Sequence, residues 1–169
     1  MINPMLEAEL LAHLDGQIAS ARRLLKLVLG QGEAIRARDT EGVLGKLAEI
    51  QTEMGRRGAL EMERAGVLQR AGAALGVPAT EVTLERLCLL VTPGAAEMAR
   101  ERSAELRGLL AEIAREHGIN RALMRQELAF LSHLTRLVGN EAEGGYTPTG
   151  STGGGRVSQS SHHVLDLRA

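Results

Sequence analysis

Apolar and small residues recur every three or four positions along the first stretch of the chain. They are Leu10, Leu14, Ile18, Ala21, Leu25, Val28, Gly32 and Ile35. Because this spacing averages close to the heptad value, it predicts a helix with one narrow face that packs against partner helices. Asn3-Pro4 predicts the start of this helix, since asparagine is a good cap and proline at the first helical position loses no hydrogen bond.

A second stretch with the same pattern follows Asp39 and Thr40, either of which can cap a new helix. The short connection predicts that this helix runs antiparallel to the first. Gly76-Val77-Pro78 predicts its end, because glycine and then proline stop helices. The predicted inward positions are Val43, Leu47, Ile50, Met54, Gly58, Met62, Ala65, Leu68, Gly72 and Leu75.

A short apolar segment and a third long helix complete the ordered part of the chain. Residues 81–91 are apolar on too many sides to lie exposed, so this short helix is expected to plug one end of a bundle. Thr92-Pro93 predicts the start of the last helix. Gly118 lies where its pattern weakens, and we expect a bend or softening there. The predicted inward positions are Ala99, Leu106, Leu110, Ile113, Met124, Leu128, Leu131, Thr135 and Val138.

These segments predict an all-α protein, an elongated antiparallel bundle or coiled coil of three long helices with one short helix and a flexible C-terminal tail. Composition agrees, because aromatic residues, which are typical of sheets, make up only 1% of the chain. We place the helical domain at residues 1–140 and the tail at 141–169. The tail is rich in glycine, serine and threonine and lacks apolar periodicity, so it cannot bury enough surface to order itself.

Charge and membrane signals exclude several classes of protein. The formal net charge of −1, with acidic and basic residues interleaved, argues against a nucleic-acid-binding protein. No apolar run approaches the roughly 18 residues needed to cross a bilayer, and no signal sequence is evident at the N-terminus. The single Cys88, within an apolar run, is expected to be buried and fits a reducing compartment. We therefore expect a cytoplasmic protein without membrane insertion.

Motifs for catalysis or metal binding are absent from the sequence. His13, His117 and His133 are isolated and are expected at the surface or at the boundary of the core rather than as ligands. The adjacent pair His162-His163 lies in the tail, where no physiological metal site is expected. No Glu-x-x-His pair, phosphate-binding loop or nucleophile elbow occurs, so we predict no enzymatic activity, no metal and no cofactor.

Residues 119–138 carry more apolar side chains than one buried face requires. Two interpretations are open: all of them close the core, or the surplus face receives the amphipathic helix of another protein. Met124 suits the second interpretation, because methionine adapts to irregular partners. The apolar residues are Ile119, Leu123, Met124, Leu128, Phe130, Leu131, Leu134, Leu137 and Val138.

Three segments together resemble one known family. The first is ARDTEGVLGKLAEIQTEMGRRGALEMERAGVLQRAGAALG, and the second is INRALMRQELAFL, which is similar to an Asn-x-x-Leu-Leu segment with Asn120, Leu123 and Met124 in place. The third is the tail, with Tyr146, Gly150 and a closing LDLRA. In this order and at this length they resemble the FlgN-type flagellar export chaperones over essentially the whole chain. Met124, where leucine is more usual, and the glycine density of the helices depart from the family pattern.

The resemblance implies a cytoplasmic, non-enzymatic chaperone of the flagellar type III export system. Such chaperones bind the C-terminal helical segments of hook–filament junction proteins and deliver them to the export gate. The resemblance places docking to the export-gate protein at Tyr146. It places cargo binding on about 119–138, at Asn120, Leu123, Met124, Leu128, Leu131, Leu134 and Val138.

Two other classes of function stay open at this point. A structural or adaptor coiled coil that acts by self-association would show the same heptads, and weak self-association of a chaperone is also left open. A helical-bundle enzyme is a more remote alternative, because the ligand motif is missing.

Overall fold

The computed structural model describes residues 2–143, and their side chains as far as residue 138. The described residues form α1 (Pro4–Arg36), α2 (Thr40–Leu75), α3 (Leu84–Cys88) and α4 (Pro93–Glu143), with a 3₁₀ turn at Ala79–Glu81. No strand occurs among the described residues, and the all-α class is confirmed. The chain divides into two compact units, Met1–Leu131 and Ser132–Ala169. All contacts between helices given below lie within the first unit. The predicted division at residue 140 stays a prediction.

The three long helices begin where the sequence predicts. The caps are Asn3, Asp39 and Thr92, and each side-chain oxygen accepts a hydrogen bond from the backbone N–H three residues later, at 3.2, 2.9 and 3.3 Å. These bonds satisfy amides that have no partner within the helix. Both predicted proline starts, Pro4 and Pro93, are confirmed.

A tight connection joins α1 to α2. The N–H of Arg38 donates to the carbonyl of Ile35 at 3.1 Å, and that of Asp39 donates to the carbonyl of Ala34 at 3.0 Å. This is the Schellman pattern, in which glycine usually occupies the left-handed position. Here Arg38 occupies it, with φ of 55°. A left-handed conformation costs a residue with a Cβ about 1–2 kcal/mol.

Ion pairs and hydrogen bonds give the directions of the long helices. Arg70 of α2 pairs with Glu9 of α1, whereas Glu53 of α2 pairs with Arg23 of α1, so α2 runs antiparallel to α1. From α4, Arg102 pairs with Asp15 and Asn120 bonds to Val28. Since both numbers rise together, α4 runs parallel to α1.

The apolar core lies where α3 meets one end of the long helices. Cys88 is buried there, and this burial raises the pKa of its thiol. The short segment therefore does plug this end, as its composition predicts, although Leu89 is exposed. The cluster comprises Leu6, Leu10 and Leu14 of α1, Val67 and Ala71 of α2, Leu87, Cys88, Leu90 and Val91 in and after α3, and Ala95, Ala96 and Ala99 of α4.

The predicted inward face of α2 is wrong at Leu47 and from Met54 to Ala65, whereas Gly72 is buried and Leu68 and Leu75 pack against the apolar core as predicted. Met54 and Met62 are 52% and 78% exposed, and the buried residues of this helix are Glu53, Val67, Ala71 and Gly72. The cause is Glu53, a charged residue at an inward position, which conceals the true face from a search for apolar residues. Leu25 is half-buried while its neighbour Leu24 is buried. The predicted inward positions of α4 that are exposed are Leu110, Met124, Leu128, Leu131, Thr135 and Val138.

The fourth helix is continuous. Helical structure runs without a break through Gly118, and a Cβ at that position would meet nothing within 4 Å. Among the described helices, none is long and apolar enough to cross a membrane.

Candidate binding surface on the fourth helix

Most of the predicted cargo-binding residues of α4 lie at the surface. Met124, Leu128 and Leu131 are 41%, 64% and 55% exposed, and further along the helix Leu134 and Val138 are also exposed. Phe130 and Leu137, which were not among the predicted site residues, are exposed as well. Leu123 is half-buried and Asn120 is buried. Closure of the core, the first interpretation of the apolar surplus, therefore does not describe the exposed side chains.

Within the first compact unit the exposed residues form a strip. Met124 and Leu128 are four residues apart and Leu131 follows three residues later, so the three share one side of the helix. Exposed apolar side chains that are scattered singly are ordinary, but a contiguous patch usually marks an interaction site. We call these three residues the apolar strip.

An apolar pocket lies between the apolar strip and the α1–α2 connection. Its volume is about 380 Å³. The α1–α2 side supplies aliphatic walls from Ile35 and Val43, and the α4 side supplies thioether, leucine and phenyl groups. We call this cavity the turn pocket, and its residues are Ala34, Ile35, Arg38, Asp39, Thr40, Val43, Met124, Glu127, Leu128, Phe130 and Leu131.

Arg38 bridges the two walls of the turn pocket. Its Nε lies 3.5 Å from Oε2 of Glu127, and its guanidinium carbon lies 5.9 Å from the centre of the Phe130 ring. The second distance is within the range of a cation–π contact. The residue in the strained left-handed position thus contacts α4, a role that no sequence motif signalled.

Asn120 fixes α4 against α1 instead of facing solvent. It is 2% exposed, and its Nδ2 donates to the carbonyl oxygen of Val28 at 2.8 Å and to Oε1 of Gln31 at 3.4 Å. Gly32 makes room for it, since a Cβ there would lie 2.6 Å from Oδ1 of Asn120. In this arrangement Asn120 cannot contact a partner from solvent, and it differs in this from the other predicted site residues.

Comparison with known protein families gives a match. A family model described as FlgN protein matches residues 1–154, which is most of the chain. The chain belongs to the FlgN family. This is the family of flagellar export chaperones, and the resemblance seen in the sequence is confirmed. Neither the curated proteins nor the solved structures yield a match.

A buried carboxylate joins α1 to α2 in this FlgN-family protein. Glu53 accepts hydrogen bonds from Ser20 Oγ at 2.8 Å, from Arg23 at 2.9 and 3.1 Å and from Arg56 at 3.3 Å. The Arg23 guanidinium, helped by Ser20 and Arg56 and opposed by burial, lowers the pKa of Glu53 to about 2. Sequence reasoning missed this cluster, because its members are far apart in the chain.

His13 is a buried histidine of α1 in this FlgN-family chain. It is 8% exposed, and so lies deeper than the expected position at the surface or at the boundary of the core, and this burial lowers its pKa. Its Nδ1 lies 3.8 Å from Oε2 of Glu63, which is too long for a hydrogen bond. In the part of the chain that the structure describes, no group of three histidine, cysteine or acidic residues is placed to hold a metal ion.

The predicted docking residue Tyr146 lies outside the described residues, as do Gly150 and the closing LDLRA. Its assignment, like that of the cargo-binding residues, stays a prediction.

Proposed function

We propose that this protein is a cytoplasmic flagellar export chaperone that acts by binding and catalyses no reaction. Its cargo is the C-terminal helical segment of a hook–filament junction protein. Binding covers this segment, prevents premature assembly and delivers the cargo to the type III export gate. In this proposal the three long helices form an up-down-up bundle, with α2 antiparallel to α1 and α4, that presents α4 to the cargo.

The observation that carries the proposal is the exposed apolar surface of α4 in a chain that belongs to the FlgN family. Covering a leucine side chain fully gains about 1.5–3 kcal/mol. Met124, Leu128 and Leu131 together therefore support reversible binding of an amphipathic helix in the helix-in-groove mode. Leu123 and Asn120 support the strip from inside, and Leu134 and Val138, in the second compact unit, are further exposed residues that we assign to cargo binding.

Isothermal titration with the C-terminal segment of the host's junction protein tests this proposal. We expect a complex at micromolar concentration, and we expect Leu128→Asp to weaken it at least tenfold, because the carboxylate would have to be desolvated in an apolar contact. Ala129→Asp is the matched control, since Ala129 is exposed on another side of the same turn. If the wild-type protein formed no complex, the proposal would be wrong.

Self-association is the alternative that the same surface raises. Sedimentation equilibrium of the wild-type protein and of Leu128→Asp distinguishes the two functions. A dimer that Leu128→Asp dissociates, together with no binding of the junction-protein segment, would favour an adaptor that acts by self-association.

The proposal also assigns docking at the export gate to Tyr146. An aromatic side chain outside the cargo surface can contribute a few kcal/mol to a weak, releasable contact. We expect Tyr146→Ala to retain the junction-protein segment and to lose affinity for the export-gate protein. Loss of cargo binding in this variant would contradict the division of roles.

A further inference from the structure

The turn pocket and two arginines beside it indicate which kind of helix α4 accepts. We propose that the cargo helix inserts one large apolar side chain into the turn pocket and pairs an acidic edge with Arg121 and Arg125. This inference rests on the proposed function and adds to it a specificity: an amphipathic helix with carboxylates along one edge of its apolar face.

The positions of Arg121 and Arg125 support the proposal that the cargo helix has an acidic edge. Arg121 precedes Leu128 by seven residues and Arg125 precedes it by three, so both lie on the side of α4 that carries Leu128. Both are exposed, and within the described residues neither forms an ion pair or a hydrogen bond with an acidic side chain. They are therefore available to carboxylates of a partner.

The carboxylates at the turn pocket do not cancel these two charges. Asp39 accepts the hydrogen bond that caps α2, from the N–H of Gly42 at 2.9 Å. Glu127 is held by Arg38. Asp39, Glu127 and Arg38 are thus engaged, whereas Arg121 and Arg125 have no acidic partner among the described residues. A helix with a basic edge would meet like charges there.

The strained backbone of Arg38 is evidence that the turn pocket has a defined shape. A non-glycine residue held at positive φ often marks a functional constraint. The left-handed position lets the Arg38 guanidinium reach Glu127 and Phe130, and so holds the α1–α2 connection against α4. The pocket consequently has two walls from different elements, and only an intact connection provides the second wall.

Two substitutions test the pocket without altering α4. Thr40 is exposed and lines the turn pocket, whereas its neighbour Glu41 is exposed and does not line it. The wild-type protein contains no tryptophan, so each variant carries a single one. We expect Thr40→Trp to fill the pocket and weaken binding of the junction-protein segment about tenfold, and Glu41→Trp to leave it within about twofold. If the two variants bound the junction-protein segment with equal affinity, the proposal that the cargo occupies the turn pocket would be wrong.

A charge test addresses the acidic edge. We expect Arg121→Gln/Arg125→Gln to bind the junction-protein segment about fivefold more weakly, since each of two exposed ion pairs contributes a factor of about two in affinity. Arg64→Gln/Arg107→Gln removes the same charge elsewhere and serves as the control. We also expect the affinity of the wild-type protein for this segment to fall as the salt concentration rises, because salt screens exposed charges. The double variant Arg121→Gln/Arg125→Gln should lose most of this salt dependence.

A peptide with its acidic residues changed to amides completes the test. It should bind the wild-type protein about fivefold more weakly and should not distinguish wild type from Arg121→Gln/Arg125→Gln. Undiminished binding of this peptide would overturn the acidic edge while leaving the proposed function intact. If the native peptide did not bind at all, the proposed function itself would fail. Competition by a peptide of residues 144–169, or a dimer in sedimentation, would identify another occupant and overturn the inference.

Discussion

The carboxylate of Glu53 stabilises the packing of α2 on α1 in a way that depends on pH. Its side chain is 3% exposed, and it accepts hydrogen bonds from Ser20, Arg23 and Arg56. Glu53→Gln keeps the size of the side chain and removes its charge. The variant therefore isolates the contribution of the ionised carboxylate to the free energy of unfolding.

The magnitude follows from the pKa of this group. The Arg23 guanidinium is the main cause that lowers the pKa from 4.5 to about 2. At about 1.4 kcal/mol per pKa unit, this difference corresponds to about 3 kcal/mol. Arg23 and Arg56 are 50% and 65% exposed, so water screens both partners. We therefore expect Glu53→Gln to lower the free energy of unfolding by about 2 kcal/mol at pH 7.

The loss should shrink in acid. Because the folded-state pKa lies below the unfolded value of 4.5, the stabilisation is fully present above pH 4.5 and is lost as pH falls toward 2. By pH 3 the difference between wild type and Glu53→Gln should be less than half of its value at pH 7. Urea unfolding followed by circular dichroism at 222 nm, at a series of pH values, measures this.

Glu49→Gln is the matched control for Glu53→Gln. Glu49 is one turn away, is 55% exposed and pairs with Lys46, so Glu49→Gln should change stability by less than about 0.5 kcal/mol at every pH. If the deficit of Glu53→Gln were as large at pH 3 as at pH 7, the ionised carboxylate would not be the source of the stability.

Three further substitutions have expected outcomes. Gly32→Ala should lower the free energy of unfolding by about 1–3 kcal/mol in urea titrations, because a Cβ 2.6 Å from Oδ1 of Asn120 overpacks the α1–α4 contact; unchanged stability would show that the contact yields easily. Gly118→Ala in α4 should instead raise the free energy of unfolding by up to about 1 kcal/mol, since a Cβ at Gly118 meets nothing within 4 Å and alanine favours the helix; a loss would show that Gly118 has a contact or conformation that alanine disturbs. His13→Gln should remove part of the fall in stability below pH 6.5, because burial lowers the pKa of His13 and protonation therefore opposes folding; an unchanged pH profile would contradict this.

The sequence predicts those parts of the fold that depend on neighbouring residues. Helix starts at Asn3-Pro4 and Thr92-Pro93 are local chemistry, and the structure confirms both. The face of α2 depends on residues that are distant in the chain. Glu53 can be buried only because Ser20 and Arg23 reach it from α1, and nothing in the neighbourhood of Glu53 indicates those partners. Meanwhile Met54 lies at heptad spacing on the wrong side and makes an exposed face resemble a buried one.

The candidate binding surface on α4 was also predictable only where it depends on neighbouring residues. Exposed leucines on α4 could be listed from the sequence as apolar surplus, but periodicity alone could not separate surface from core. The turn pocket could not be predicted, because one wall comes from residues 34–43 and the other from 124–131. The role of Arg38 was hidden too, since a left-handed residue at this position would ordinarily be glycine.

The interior of the first compact unit changes character along its length, and this bears on how the binding surface is held. The apolar cluster surrounds α3, whereas the contacts nearer the α1–α2 connection depend on buried polar groups: Ser20 with Glu53, and Asn120 with Gln31 and the carbonyl of Val28. Apolar contacts persist when one helix shifts along another, but a buried amide or carboxylate finds its hydrogen-bond partners in only a few relative positions of the helices. A shift that removes those partners leaves the group desolvated without a hydrogen bond, which is costly. Asn120 lies one turn before Met124 and therefore fixes the rotation and height of α4 where the turn pocket forms. We therefore interpret Asn120 as the residue that sets the position of the apolar strip, the surface to which we propose that the cargo binds.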